Sequence, residues 1–283
     1  MPGKSLFFLA ASLLSLTGPA LARKAGIGAW ENSRYTTIRW IEEQPALEWY
    51  YTWRTDQLWT AMPVPRSVEF VPMIHSERDL AAEIRPDLPV RALLTFNEPD
   101  GHGAHQGGLS VARALALWPQ VEARGRGLRI GSPATTRAGT LGPGSWPRRF
   151  MTEAGRRGFR IDFMAVHYYS TDGDVAAFRR WLQAVHRAYR RPIWVTEFAL
   201  GDWDRPGEGS YAASAAFLEG AARMMEGLPF VERHAWFATN PYPWQGVVPK
   251  ITLVDDRLRP TSAGQTFRRL LSELGGREIG CTD

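Results

Sequence analysis

The chain has 283 residues, 34 Lys and Arg against 29 Asp and Glu, a formal net charge of +5 and a single cysteine. That length suits one closed (β/α)8 barrel of roughly 250 residues plus a short leader, and excludes a second full domain. One thiol excludes an intramolecular disulfide, and the positive charge is scattered as arginine pairs such as Arg156-Arg157 and Arg190-Arg191 at predicted helix ends, with no dense basic stripe to suggest a nucleic-acid partner.

Residues 1–22 read as a signal peptide: Lys4 supplies positive charge, Leu6 to Leu16 form a short apolar run, and Ala20-Leu21-Ala22 is a small-residue cleavage pattern. Cleavage after Ala22 leaves 23–283 as the barrel and implies a secreted or periplasmic protein. The apolar run is shorter than the ~20 residues that span a bilayer and no other stretch approaches it, so no membrane partner is expected.

Short β-branched or aromatic runs then alternate with helical patterns. The predicted strands are Gly26–Trp30, Trp49–Trp53, Phe70–Ile74, Arg91–Phe96, Arg129–Ser132, Phe163–Tyr168, Ile193–Glu197 and His234–Phe237. Helices are predicted over Glu77–Ile84, Leu109–Glu122, Pro147–Arg156, Val175–Tyr189, Tyr211–Gly227 and Ser262–Leu274. Eight βα units imply a parallel sheet that closes as a TIM barrel. An open doubly wound sheet is the rival fold. It lacks support because Gly26-Ile27-Gly28 runs on into Ala29-Trp30-Glu31, without a helix-opening phosphate loop.

Two of these strands end in a carboxylate. In Leu93-Leu94-Thr95-Phe96-Asn97-Glu98-Pro99, strand alternation puts Ala92, Leu94, Phe96 and Glu98 on one side, and Pro99 biases Glu98 toward an extended backbone. In Ile193-Trp194-Val195-Thr196-Glu197, the residues Ile193, Val195 and Glu197 share a side. Strand C-termini converge on one mouth of a barrel, so glutamates ending the fourth and seventh strands can face each other there. Two such carboxylates are the usual equipment for cleaving a glycosidic bond, one donating a proton and one attacking. The chain also has 12 tryptophans, a residue that fills cores but equally stacks on sugar rings.

At these residues the chain resembles glycoside hydrolase clan A, in which the acid/base follows Asn on strand four and the nucleophile ends strand seven. More closely it resembles glycoside hydrolase family 128, the alkali-sensitive-linkage-protein-like catalytic domain, through Trp49-Tyr50-Tyr51-Thr52-Trp53, Phe70-Val71-Pro72-Met73, Phe96-Asn97-Glu98-Pro99-Asp100, Gly131-Ser132-Pro133-Ala134, Val166-His167-Tyr168-Tyr169, Trp194-Val195-Thr196-Glu197-Phe198 and Ala235-Trp236-Phe237-Ala238. The resemblance implies a single catalytic barrel acting as a retaining β-1,3-glucanase, with Glu98 as acid/base, Glu197 as nucleophile and Asn97 bonded to the sugar hydroxyl beside the reacting carbon. The chain departs from the family pattern at Thr52, His75 and Gly108, away from both glutamates.

His167 and Tyr169 share a side at the end of strand six, and a donor from either would orient Glu197. Trp236, sharing parity with His234, is the candidate floor under the sugar; Tyr51, Trp53 and Trp203 are further substrate-binding candidates, as are Tyr242 and Trp244. Trp118 and Trp181 lie within helices and read as core. His75, His167 and His234 at strand ends raise a metal-dependent hydrolase, but no metal-binding spacing accompanies them and the expectation is an enzyme with no metal and no cofactor. The expected partner is a β-glucan, bound by a monomer. A clan A hydrolase for another linkage and a non-catalytic glycan-binding barrel remain the alternatives.

Overall fold

The computed structural model describes residues 24–44, 46–60 and 62–275. The proposed leader Met1–Ala22 and Cys281 lie outside these residues.

The elements run β1 (Ala25–Gly28), α1 (Thr37–Glu42), β2 (Trp49–Tyr51), β3 (Glu69–Phe70), β4 (Met73–Ile74), β5 (Ala92–Asn97), α2 (Val111–Arg124), β6 (Arg129–Ala134), α3 (Arg137–Thr140), α4 (Trp146–Arg156), β7 (Met164–Ser170), α5 (Val175–Tyr189), β8 (Ile193–Leu200), α6 (Tyr211–Glu226), β9 (Val231–Trp236) and α7 (Ser262–Gly275). Every ladder is parallel. One sheet has the order β3-β2-β1-β9-β8-β7 and the other β4-β5-β6. Bridges Gly131↔Phe163 and Thr135↔Val166 connect β6 to the β7 side, while β3 runs through Val71-Pro72 into β4. The predicted third strand is thus one strand broken at Pro72, which has no N–H to give a ladder. The cyclic order is that of the expected (β/α)8 barrel, its hydrogen bonding interrupted at these two seams.

Five predicted helices form within two residues of their expected ends. Three start on a side-chain cap: Ser110, Asp174 and Ser210 accept from the N–H groups of Arg113, Ala177 and Ala213 at 3.2, 2.9 and 3.1 Å. The predicted helix Glu77–Ile84 is only a 3-10 turn, Glu77–Asp79, because Pro86 and Pro89 follow it closely. The short α1 was not anticipated.

Apolar side chains sort into three layers. Two lie between strands and helices, one formed by α1, α5, α6 and α7 on β1, β7, β8 and β9, the other by α2 and α4 on β5 and β6. The third fills the barrel with Trp49, Tyr51, Val71, Met73, Ala92, Leu94, Ala134, Phe163, Ala165, Trp194 and Ala235, Trp53 packing against them. Such large rings fit because β1 contributes no side-chain volume. A Cβ on Gly26 would lie 2.4 Å from the Trp49 indole, and one on Gly28 2.4 Å from Trp53. The glycines that failed as a phosphate loop are spacers for indoles. Beneath the rings, Arg233 lies 4.4 Å from the Trp194 centroid and binds Glu69 at 2.6 Å, closing the N-terminal end with a charge held against aromatic faces.

Candidate active site

The backbone does not follow simple alternation where it matters. The β5 ladder shifts register between Leu93 and Thr95 and again between Thr95 and Asn97, and Phe96 and Glu98 take positive φ of 25° and 41°. Phe96 is therefore thrown outward onto Trp118, at 6.3 Å, while Ala92 and Leu94 stay inside, which corrects the single-sided reading of that strand. Glu98 is left-handed, not extended as the following proline suggested. On β8, register shifts between Val195 and Phe198 put Trp194 and Glu197 inside, with Ile193 and Val195 in the outer layer. Residues held in such sparsely populated conformations collect where a site over-determines them. Trp53, with φ 57°, is another.

The two glutamates meet around His167. The His167 ring is wholly buried, its Nδ1 3.0 Å from Glu98 Oε1 and 3.4 Å from Glu197 Oε2. Because both neighbours are acceptors, Nδ1 carries the proton they share. Gln106 Nε2 donates to Glu98 Oε2 at 2.8 Å. Trp53 Nε1 donates to Glu197 Oε1 at 2.8 Å, and the Tyr169 hydroxyl donates to Glu197 Oε2. One oxygen of each glutamate and a ring nitrogen of His167 all lie within 4.8 Å of one another.

Burial pushes both carboxyls up. At Glu98, hydrogen bonds and charge from His167, together with the Gln106 amide, outweigh burial and hold the group below the usual carboxylate range. At Glu197, burial and the Glu98 charge outweigh His167, Tyr169 and Trp53 and hold it above. In the cleft without substrate the pair thus favours its first proton on Glu197, the opposite of what an acid at Glu98 needs. The two titrate as one unit, and their roles are separated better by donor geometry than by this order. The Trp53 N–H can only donate, so Glu197 Oε1 is fixed as an acceptor, as a nucleophile requires. Burial, reinforced by the carboxylates, pushes the Tyr169 and Tyr51 hydroxyls well above their usual range, keeping both protonated. His167 is pushed down by burial but drawn above its ordinary value by Glu197 and Glu98.

Glu98, His167 and Glu197 also form the one three-donor group among the described residues that could hold a metal ion. All four carboxylate oxygens already accept from N–H or O–H donors, which suits anions more than ligands awaiting a cation. The other strand-end histidines do not join it. His75 Nε2 lies 3.2 Å from the His105 carbonyl, and His234 Nε2 3.0 Å from Glu226 Oε1 behind the barrel.

Of the expected substrate residues, Trp53, His167 and Tyr169 stand at the carboxylates, and Asn97 is buried beside them. Its Nδ2 donates to the His105 carbonyl at 3.3 Å, while Oδ1 has no partner. Tyr51 is a correction: fully buried, it donates to the Thr196 carbonyl at 2.8 Å and its hydroxyl also meets the Glu197 carboxylate, so it supports the nucleophile from below instead of lining the mouth. Trp236 is a second correction. It shares parity with His234 as expected, but that side faces the helices, where Trp236 is wholly buried and donates to the Ile251 carbonyl. The inward neighbour Phe237 occupies the mouth instead, 5.5 Å from Trp53 and 5.7 Å from Tyr169. The small inward residue Ala235 was the signal that could have fixed this parity.

Around Phe237 the rings form a wall. Trp203 packs on Tyr169 at 5.0 Å and on Trp244 at 5.5 Å, and Tyr242 lies 5.7 Å from both Phe237 and Trp30. Trp30 and Gln106 were not singled out from sequence. Trp118 and Trp181 pack in the outer layers as expected. The arrangement offers two carboxylates for acid–base and nucleophilic chemistry next to flat apolar faces, the combination a carbohydrate needs.

The profile of the family described as glycosyl hydrolase catalytic core matches residues 28–267. Alkali-sensitive linkage protein 1 of Schizosaccharomyces pombe is 28% identical over 197 residues, which are 68% of this chain and 34% of that protein. The chain thus spans about a third of the length of this curated relative. Among solved structures, a mutant of the endo-β-1,3-glucanase of glycoside hydrolase family 128, subgroup I, from Amycolatopsis mediterranei, in complex with laminaripentaose, is 36% identical. It superposes with a TM-score of 0.73 over 87% of this chain and 98% of its own. The subgroup II endo-β-1,3-glucanase of Sorangium cellulosum is 26% identical, with a TM-score of 0.69 over 87% of this chain and 97% of its own.

Proposed function

The chain belongs to glycoside hydrolase family 128, and on that premise we propose that it cleaves β-1,3-glucan at internal bonds with retention of anomeric configuration. The observation that carries this reading is that one oxygen of Glu98 and one of Glu197 lie within 4.8 Å of each other. Retaining enzymes hold their carboxyls about 5–5.5 Å apart, whereas inverting ones leave roughly 6.5–9.5 Å for a water.

In the first displacement the protonated carboxyl of Glu98 gives its proton to the glycosidic oxygen as the bond to the anomeric carbon breaks. A Glu197 oxygen forms the new bond to that carbon from the opposite face. The leaving chain departs as an alcohol, and Glu98 is left as a carboxylate. In the second, Glu98 takes a proton from water, the water oxygen attacks the anomeric carbon, and Glu197 leaves as a carboxylate, so the protons balance over the cycle. Trp53 and Tyr169 aim and stabilise the Glu197 anion. Asn97 turns its unpartnered Oδ1 to a sugar hydroxyl. Phe237, Trp203 and Tyr242 offer the sugars their faces, Phe237 taking the place that the sequence suggested for Trp236. No cofactor enters these steps.

Reducing-end release from β-1,3-glucan, with β-1,4- and mixed-linkage glucans alongside, tests the reading against Glu98→Gln and Glu197→Gln. Activity on the β-1,3 polymer that collapses in both variants is expected; near wild-type activity in either would sink the mechanism, and turnover of the β-1,4 polymer alone would move the substrate. Export is inferred from the leader Met1–Ala22, and a mature N-terminus at Arg23 checks it. A monomer is proposed, with sedimentation as its test. No helix among the described residues is long and apolar enough to cross a membrane.

A further inference from the structure

The segment between β5 and α2 returns upon the strand that carries Glu98. Gly101 N donates to the Glu98 carbonyl at 3.0 Å, and Gly107 N to the Asn97 carbonyl at 2.7 Å. The His105 carbonyl receives Asn97 Nδ2 at 3.3 Å. Inside this strap lies Gln106, whose Oε1 accepts from Gly103 N at 2.8 Å and whose Nε2 donates to Glu98 Oε2 at 2.8 Å. The fit is close: a Cβ on Gly101 would come within 2.1 Å of the Gln106 amide oxygen. The amide is thereby locked with its oxygen toward the strap and its N–H toward Glu98.

The two oxygens of Glu98 are then unlike. Oε1 faces His167 Nδ1, which also reaches Glu197, while Oε2 meets only the Gln106 amide among the hydrogen bonds of the described residues. The His167 N–H is shared with Glu197, whereas the Gln106 N–H is aimed at Oε2 alone, so the amide sets how the Glu98 carboxyl is turned. We propose that Gln106 is a positioning residue that fixes the rotation of the Glu98 carboxyl and supports its charged form, aiming the group that delivers and recovers the proton. The inference rests on Glu98 being the acid/base.

The consequence concerns the leaving group. Without the amide, the carboxyl is free to rotate and loses a donor that favours its charged form, so proton delivery is both less well aimed and made by a weaker acid. The test compares Gln106→Ala with wild type for kcat/KM on a β-1,3-glucan oligosaccharide and on a nitrophenyl β-1,3-glucan oligoside, whose leaving group departs without a proton. On the oligosaccharide the variant should lose roughly tenfold in kcat/KM, the scale of one lost hydrogen bond to a charged group. Its basic limb should move to higher pH, and on the nitrophenyl substrate the loss should shrink to under about twofold. Gln106→Glu supplies the donor only when it is itself protonated, so it should recover activity on the oligosaccharide as pH falls.

Equal losses on both substrates, or an unmoved basic limb in a Gln106→Ala variant that melts as wild type does, would overturn the proposal. Should Gln106→Ala melt early, the Gln106→Glu pH profile decides alone: no recovery at low pH overturns it. If Glu98→Gln is as active as wild type, the acid/base assignment fails first, and this outcome is separable from failure of the Gln106 proposal.

Discussion

Replacing Tyr169 by Phe removes one donor from Glu197 Oε2 and leaves the ring in place between Trp203 and Phe237. A hydrogen bond to a charged group contributes about 1.5–3 kcal/mol. Glu197 keeps the Trp53 N–H at 2.8 Å and a longer approach from His167 at 3.4 Å, so the lower half of that range applies. At 1.36 kcal/mol per factor of ten, kcat/KM on a β-1,3-glucan oligosaccharide should fall roughly 13- to 45-fold. The pH profile gives the sharper reading. Glu197 must be ionised to attack, and burial already holds it above the usual carboxylate range. Loss of a donor to the charged form raises it further, and the acidic limb moves to higher pH. Trp53→Phe should move the limb in the same direction. Trp244→Phe, whose N–H is bonded to the Trp203 carbonyl and not to a carboxylate, should change KM and leave the limb in place. A Tyr169→Phe enzyme with wild-type kcat/KM and an unmoved acidic limb would refute the claim that this hydroxyl holds the nucleophile.

Gly28→Ala places a Cβ 2.4 Å from the Trp53 ring, forcing the indole away from Glu197, and should cost about 1–3 kcal/mol of stability and at least tenfold in kcat; unchanged kinetics would show that the indole can shift without loss. Lys24 is buried, with Nζ donating to the carbonyls of Met225, Glu226 and Leu228 at 3.1, 3.1 and 3.0 Å at the end of α6. Lys24→Met removes a charged donor from all three, of which the Met225 and Leu228 carbonyls keep the N–H groups of Leu228 and Val231, for a loss of about 3 kcal/mol and roughly 6–12 °C in Tm, read by calorimetry and contradicted by a drop under about 2 °C. His167 is held above its ordinary 6.5 in the folded state, so it contributes stability that is full below that value and fades as pH rises through the raised one. Tm should therefore decline as pH rises above about 6.5, and the decline should be absent in His167→Asn.

What the sequence showed well was whatever depends on periodicity. The long helices and eight strands were legible because their apolar spacing and their caps at Ser110, Asp174 and Ser210 are local properties. Glu98 and Glu197 were legible because each is a carboxylate in the C-terminal part of an apolar run, Glu98 just past the end of β5 and Glu197 three residues before the end of β8. The side each residue takes was less so. A register shift changes inward for outward without any change of residue type, and those on β5 and β8 fall beside the glutamates. Positive φ at Phe96, Glu98 and Trp53 has no glycine to announce it. Trp236 and Phe237 are both aromatic, so composition could not decide which faces the mouth. Gln106 touches Glu98 through a loop that carries no periodicity, and Trp30 joins the wall through the fold alone.

The rings inside the barrel pass without a break from its charged base to the nucleophile: Arg233 on Trp194, Trp194 and Tyr51 on Trp49, Tyr51 on Trp53, and Trp53 on Glu197. No inert layer separates the interior from the chemistry. A programme of directed evolution toward heat resistance would therefore find few neutral changes along this column, since each resized ring shifts the next and the last one holds a carboxylate. Its productive positions should lie elsewhere, in the shell between strands and helices and among the surface ion pairs joining Glu219, Arg223, Arg269 and Glu273, where gains in robustness leave turnover untouched.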